Sequence, residues 1–218
     1  VIVSTKNPRV KQLVKLRESA RRRREVGRFL IEGLCEINAG LAAEVSFAEA
    51  FFCPSYFRDR GEKSLLQRIE HSGAELVELG KEAFSKATYR QHPEGILVLA
   101  EARTLSIDQI SLGENSLVLV LDEIEKPGNL GAILRTASAF GADALLLAEP
   151  SVDFFNPNVL RASRGLSLSF PVASASRDEV YAFLKEQGLR IFGTSVKHVS
   201  SIWRADLSGG IAILLGSE

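Results

Sequence analysis

Methionine is missing from this sequence, even at its first position, and tryptophan occurs once, at position 203. A chain without an initiator is expected to be part of a longer product. Its end carries the same expectation, because GIAILLGSE stops on the lip of an apolar, strand-like run. The two cysteines, Cys35 and Cys53, stand apart, so neither a disulfide framework nor a cysteine-based metal site is expected. His71, His92 and His198 are scattered and form no nucleophile or metal pattern, and Ser163 and Ser167 lack the strand–turn–helix context of a nucleophile elbow. Trp203 and the phenylalanines suit core packing better than a base-stacking platform. No apolar run, such as residues 117–121, approaches the roughly 20 residues that span a bilayer. The basic N-terminus has no apolar core behind it, as a signal peptide would. The expectation is a reduced, cytoplasmic protein with neither membrane nor metal among its partners.

What is present is unevenly distributed. The 27 basic and 27 acidic side chains cancel overall, yet residues 1–28 hold ten basic residues against only Glu18 and Glu25. A local block of this kind governs partners more than the total does. Four consecutive arginines, Arg21 to Arg24, together with Arg9, Lys11 and Arg28, suit the phosphates of RNA. Arg161 and Arg164 are candidate additions to that track.

The pattern predicts one helix from about 7 to 27, then strands at 29–33, 47–54, 74–80 and 95–102 alternating with helices at 34–43, 63–71 and 81–88. This is a small α/β domain over 1–103. Residues 104–116 are polar and read as a linker. A second alternation over 117–218 has near-continuous apolar strands at 117–124, 144–149, 170–174, 190–196 and 210–216, with helices at 130–140 and 177–187. Such strands indicate a mainly parallel sheet covered on both faces, whose ligands bind beyond the carboxyl ends of the strands.

EKPGNLGAILRTASAFG, residues 125–141, follows the first strand of that second domain. Pro127 and Gly128 turn the chain, Asn129 is a candidate helix cap, and Gly141 a stop. Gly131 in the first helical turn costs about 1 kcal/mol relative to alanine. Arg135 lies four residues on, and helical side chains lean toward the N-terminus, so its guanidinium is expected to reach back over Gly131 toward Asn129. A cation and an amide there suit a phosphate, ribose or carboxylate. The bland alternative is a surface arginine beside a packing glycine. A dinucleotide turn is disfavoured because there is no GxGxxG.

NLGAILRTASAFG after an acidic strand end and PG resembles the first signature of the SpoU (TrmH-type) RNA ribose methyltransferases of the SPOUT superfamily. NPNVLRASRG followed by FPV resembles the family's next stretch, and IAILLGSE the start of its second signature. STKNPRVKQLVKL and RFLIEG resemble the opening of the ribosomal-protein-L30-like substrate-binding domain often fused ahead of it. The third signature, carrying S-L-N, has no counterpart in these residues.

The resemblance implies an L30e-like N-terminal domain plus an α/β-knot domain, with the C-terminal segment of the trefoil knot lying past the chain's last residue. It also implies a homodimer that uses S-adenosyl-L-methionine to methylate a ribose 2′-hydroxyl, in rRNA rather than tRNA. A tRNA ribose methyltransferase and a non-catalytic RNA-binding protein of the same fold are the alternatives. The family's catalytic set maps onto Asn129, Arg135 and Glu218, and its cofactor contacts onto Thr194, Gly216 and Ser217. Arg135 is often given the role of base in this family. A neutral arginine, with a pKa above about 12, is unfavourable, so a cation stabilising the developing alkoxide is the preferred role.

Overall fold

The computed structural model describes residues 1–195, 197 and 201–216. The chain forms two compact units, Val1–Arg103 with Asp153–Ser169, and Thr104–Val152 with Phe170–Glu218. The stretch Asp153–Ser169 therefore packs with the first unit although it lies between two strands of the second.

In the first unit, strands β1 (Arg28–Glu32), β2 (Phe47–Phe52), β3 (Glu75–Glu78) and β4 (Ile96–Glu101) form one sheet in the order β1-β4-β2-β3. β4 is antiparallel to both neighbours, whereas β2 and β3 are parallel. Alternation along β4 divides the core, as the period of two requires. Leu97 and Leu99 join one cluster with Leu13 of helix α1 (Pro8–Glu18) and Phe84 of helix α5 (Lys81–Ala87). Ile96 and Val98 join the other with Ile37 of helix α3 (Leu34–Ala42) and Leu65 and Ile69 of helix α4 (Glu62–His71). Phe47 and Ala50 share that second face despite their odd spacing, because a register shift falls between Phe47 and Glu49.

The single helix expected over 7–27 is two. Ser19 is extended (φ −121, ψ 112) and serves both ends: its N–H donates to the Lys15 carbonyl at 3.0 Å, and its hydroxyl accepts from the Arg22 N–H at 3.2 Å. Helix α2 (Ala20–Val26) then closes at Gly27, whose φ of +65 suits glycine. The break turns Arg23 inward. It is 3% exposed, pairs with Asp153 at 2.5 Å, and donates to the carbonyls of Leu16 and Arg17, the last turn of α1.

The second unit is a five-stranded parallel sheet, as expected. Its strands β5 (Leu117–Asp122), β6 (Ala144–Ala148), β7 (Val172–Ala175), β8 (Arg190–Gly193) and β9 (Ile211–Leu215) lie in the order β7-β6-β5-β9-β8. Helix α6 (Pro127–Ala139) buries Leu130, Gly131, Leu134 and Ala137, and helix α8 (Arg177–Glu186) buries Val180, Phe183 and Leu184. Strand β8 stops at Gly193, short of the 190–196 expected. The polar residues 104–116 belong to this unit: Leu105 bridges to Ala173, and Ile110 is buried in the core beside Val118 and Val180. Between Asn156 and Gly165 the chain forms a short helix α7 (Pro157–Ser163), part of the first unit, which supplies Leu160 to its core.

Candidate active site

The strand order fixes where the second unit should bind a ligand. From β5 the chain moves outward through β6 to β7, and then returns on the other side through β8 to β9. β5 and β9 are therefore neighbours at the point where the strand order switches, β5 leading on to β6 on one side and β9 entered from β8 on the other. Beyond their carboxyl ends is an open cleft of about 530 Å³, lined by Leu121 and Asp122 at the end of β5 and Ile124 just after it, Leu215 and Gly216 at the end of β9, and Asn129, Ala132 and Ile133 of α6.

Asn129 reaches this cleft by a route different from the one expected. Helix α6 begins two residues before it, with Pro127 at its first position and Lys126 as the N-cap without a side-chain cap bond. Proline suits that position because its φ is preset and no N–H is needed there. Asn129 is thus in the first turn, its N–H donating to the Lys126 carbonyl at 3.1 Å. At about 100° per residue, Ala132 and Ile133 follow on the same side of the helix as Asn129, while Arg135 is turned about 120° away. Arg135 is exposed, is not among the cleft residues, and has no ion pair or hydrogen bond among the described residues. Gly131 is buried. The helix nevertheless ends as expected, with Gly141 at φ +70 after it.

Asp122, the last residue of β5, is firmly held. The guanidinium of Arg177 grips both of its carboxylate oxygens (Nε at 3.0 and 3.1 Å, Nη2 at 2.9 Å) and also reaches Glu123 at 2.7 Å. These bonds raise the Arg177 pKa further above its ordinary range. The Arg177 N–H donates to Glu149 at 3.0 Å. Glu123 and Glu149 both have left-handed backbones (φ +57 and +45) at the ends of β5 and β6, so one residue ties together the ends of neighbouring strands where the chain turns most sharply. No sequence signal marks Arg177, because its partners Asp122, Glu123 and Glu149 all lie far away in the chain, the two that hold its guanidinium more than fifty residues off.

The expected cofactor residues separate. Gly216 lines the cleft, and a Cβ built on it meets nothing within 4 Å. Thr194 stands beside the end of β9, its N–H and hydroxyl both donating to the Leu214 carbonyl at 3.0 Å, and it is not among the cleft residues. Ser217 and Glu218 lie outside the described residues, as does His198.

The expected RNA-contacting cations of the first unit also divide. Arg23 is corrected to a structural residue, because a buried guanidinium already bound to Asp153 and two carbonyls cannot meet a phosphate. Arg9 pairs with Glu75 at 2.9 Å, Arg22 with Glu25 at 3.4 Å and Arg28 with Glu101 at 3.7 Å. Lys11, Arg24 and Arg161 are exposed without ion pairs among the described residues. No group of three or more His, Cys, Asp or Glu among those residues could hold a metal ion, and no helix among them is long and apolar enough to cross a membrane.

Two family models match successive parts of the chain. Residues 116–218 match the SpoU rRNA Methylase family, and residues 7–98 match the MRM3-like substrate binding domain. The whole chain is 29% identical to the 23S rRNA (guanosine(2553)-2'-O)-methyltransferase RlmP of Bacillus subtilis and covers 82% of it. A crystal structure of an RNA 2'-O ribose methyltransferase is 34% identical, with a TM-score of 0.83 over 100% of this chain and 81% of that one. The AdoMet-bound rRNA methyltransferase of Sinorhizobium meliloti, 24% identical, shares the fold with a TM-score of 0.86 over 98% of this chain and 79% of its own. With a strand–cleft–helix site in its second unit and relatives of this similarity along its full length, the chain belongs to the SpoU rRNA methylase family.

Proposed function

We infer that the second unit transfers a methyl group from S-adenosyl-L-methionine to a ribose 2′-hydroxyl of 23S rRNA. The observation that carries this reading is the cleft at the β5–β9 switch point, where Asn129 and a fixed Asp122 face the bare backbone of Gly216. These residues fit the cofactor. Leu121, Ile124, Ile133 and Leu215 offer apolar walls, Asp122 a carboxylate for hydroxyl or cationic groups, and Gly216 a backbone open to close approach. When bound, the cofactor supplies an electrophilic methyl group.

The chain's own residues then have the nucleophile to prepare. A ribose hydroxyl is a poor nucleophile until its developing negative charge is stabilised. Arg135, a cation without an ion pair among the described residues, is assigned that stabilising role, and Asn129 orients the ribose by hydrogen bonding. Glu218 is assigned to orienting Arg135. The cofactor site is taken to be the family's trefoil knot, with Thr194 and Ser217 as further walls. The protein is taken to be a cytoplasmic homodimer. Covering the exposed side chains of Phe140 and Trp203, which do not join the core expected of them, is assigned to the second copy. Lys11, Arg24 and Arg161 are assigned to RNA phosphates, with Arg9, Arg22 and Arg28 beside them.

Titration calorimetry of S-adenosylmethionine into the full-length protein tests the cofactor reading. Saturable binding is the expected result. Absence of heat at every temperature tried contradicts methyl transfer and favours a protein that only binds RNA.

A further inference from the structure

The first unit carries a second concave site, lined by Tyr89, Arg90, Gln91, His92 and Arg161. We propose that this groove holds one unpaired nucleotide of an RNA strand, its base stacked on the ring of Tyr89 and its phosphate on Arg161. The proposal rests on the RNA reading above and adds a recognition site to it.

Tyr89 is an unusual surface residue. The residue is 42% exposed, yet it is tied at both ends. Its N–H donates to the Glu32 carboxylate at 2.7 Å, and its hydroxyl donates to Asn158 Oδ1 at 2.6 Å. Asn158 is itself fixed, its N–H donating to the side chain of Asn156 at 2.9 Å. A ring held in this way loses little freedom when a base lands on it, the advantage of a preorganised platform.

The loop beneath the ring is equally constrained. Glu32 also accepts the Arg90 N–H at 3.3 Å, and burial pushes its carboxyl up from the ordinary range despite these donors. The Arg90 guanidinium is bound to Glu36 at 2.8 Å, Glu94 at 3.3 Å and the Glu32 carbonyl at 3.1 Å. The packing leaves no slack: a Cβ at Gly33 would meet Arg90 Nη2 and Glu36 Oε2 at 2.2 Å. Arg90 therefore builds the wall. Arg161, in the last turn of α7, is exposed and without an ion pair among the described residues, the cation left for a ligand.

An open aromatic face, a guanidinium, an imidazole and an amide together suit a nucleotide: every base has a face to stack, and its phosphate needs a cation. Paired bases in a duplex do not offer their faces, so the ligand is single-stranded RNA, such as a loop or bulge.

The test uses the full-length protein and fluorescence anisotropy with a labelled single-stranded oligoribonucleotide and its duplex. Tyr89→Ala is expected to weaken single-strand binding roughly tenfold and to leave duplex binding unchanged. Tyr89→Phe keeps the ring and is expected to retain most of the affinity. Arg161→Ala is expected to reduce the slope of log affinity against log salt by about 0.7, one phosphate contact on a single strand. If Tyr89→Ala and Arg161→Ala match the wild type while the wild type binds RNA, the groove is not the site and the RNA reading stands. If the wild type binds neither RNA, both fail. Should Tyr89→Ala unfold the protein, Arg161→Ala, at an exposed position, decides alone.

Discussion

Arg135→Ala is expected to slow methyl transfer by about 10²–10³-fold while S-adenosylmethionine affinity stays within about threefold of wild type. The size is that of removing one positive group assigned to the developing charge, and the separation follows from the position of Arg135 on the helix. It is exposed and turned away from the cleft that Asn129 lines. A residue that served only to shape the cleft would affect cofactor affinity and rate together.

Arg135→Lys distinguishes the role of this residue. A lysine acting as a cation works while protonated, so the rate should hold through neutral pH and fall as pH rises through the ordinary lysine value of about 10. A lysine acting as a base works after losing its proton, so the rate should climb through that range. A climbing profile would overturn the electrostatic assignment.

Arg23→Ala is expected to be the most damaging single change to stability outside the apolar core, by about 3–5 kcal/mol. Arg23 and Asp153 are 3% and 10% exposed, and their pair joins α2 to the segment Asp153–Ser169 within the first unit. Removing the guanidinium leaves the Asp153 carboxylate buried without its cation and the carbonyls of Leu16 and Arg17 without their donor. The midpoint of thermal unfolding should fall by roughly ten degrees or more. The Arg23→Ala, Asp153→Asn pair should cost less than the sum of the single changes, because each alone already breaks the pair. Arg24→Ala, next in sequence but exposed, should leave the midpoint nearly unchanged and weaken RNA binding instead. A large fall for Arg24 with none for Arg23 would contradict this division of the arginine run.

That run shows where sequence reasoning stops. Short apolar runs between turn residues located every strand of both sheets, even the mostly exposed β8, and the parallel second sheet followed from that pattern. The break at Ser19 was not visible, since a serine inside a charged helical pattern looks the same whether it caps or merely continues a helix. Nor was the inward turn of Arg23, which depends on Asp153, 130 residues away. The same limit hid Arg177, whose value lies in distant Asp122, and Tyr89, whose ring is fixed through Asn158. Asn129 lines the cleft by a route different from the one expected: Pro127, not Asn129, begins α6, and the asparagine enters from inside the first turn. Local chemistry is written in local sequence, whereas pairings across the fold are not.

Ribose methylation of rRNA is tested most directly by nucleoside mass spectrometry after incubation with methyl-labelled S-adenosylmethionine. The full-length protein would be given unmodified 23S rRNA and, separately, bulk tRNA. One labelled 2′-O-methyl nucleoside is expected from the rRNA, none from the tRNA, and no label with Arg135→Ala over the same time. Label on a base, label confined to tRNA, or no label with wild-type protein that binds the cofactor would contradict it.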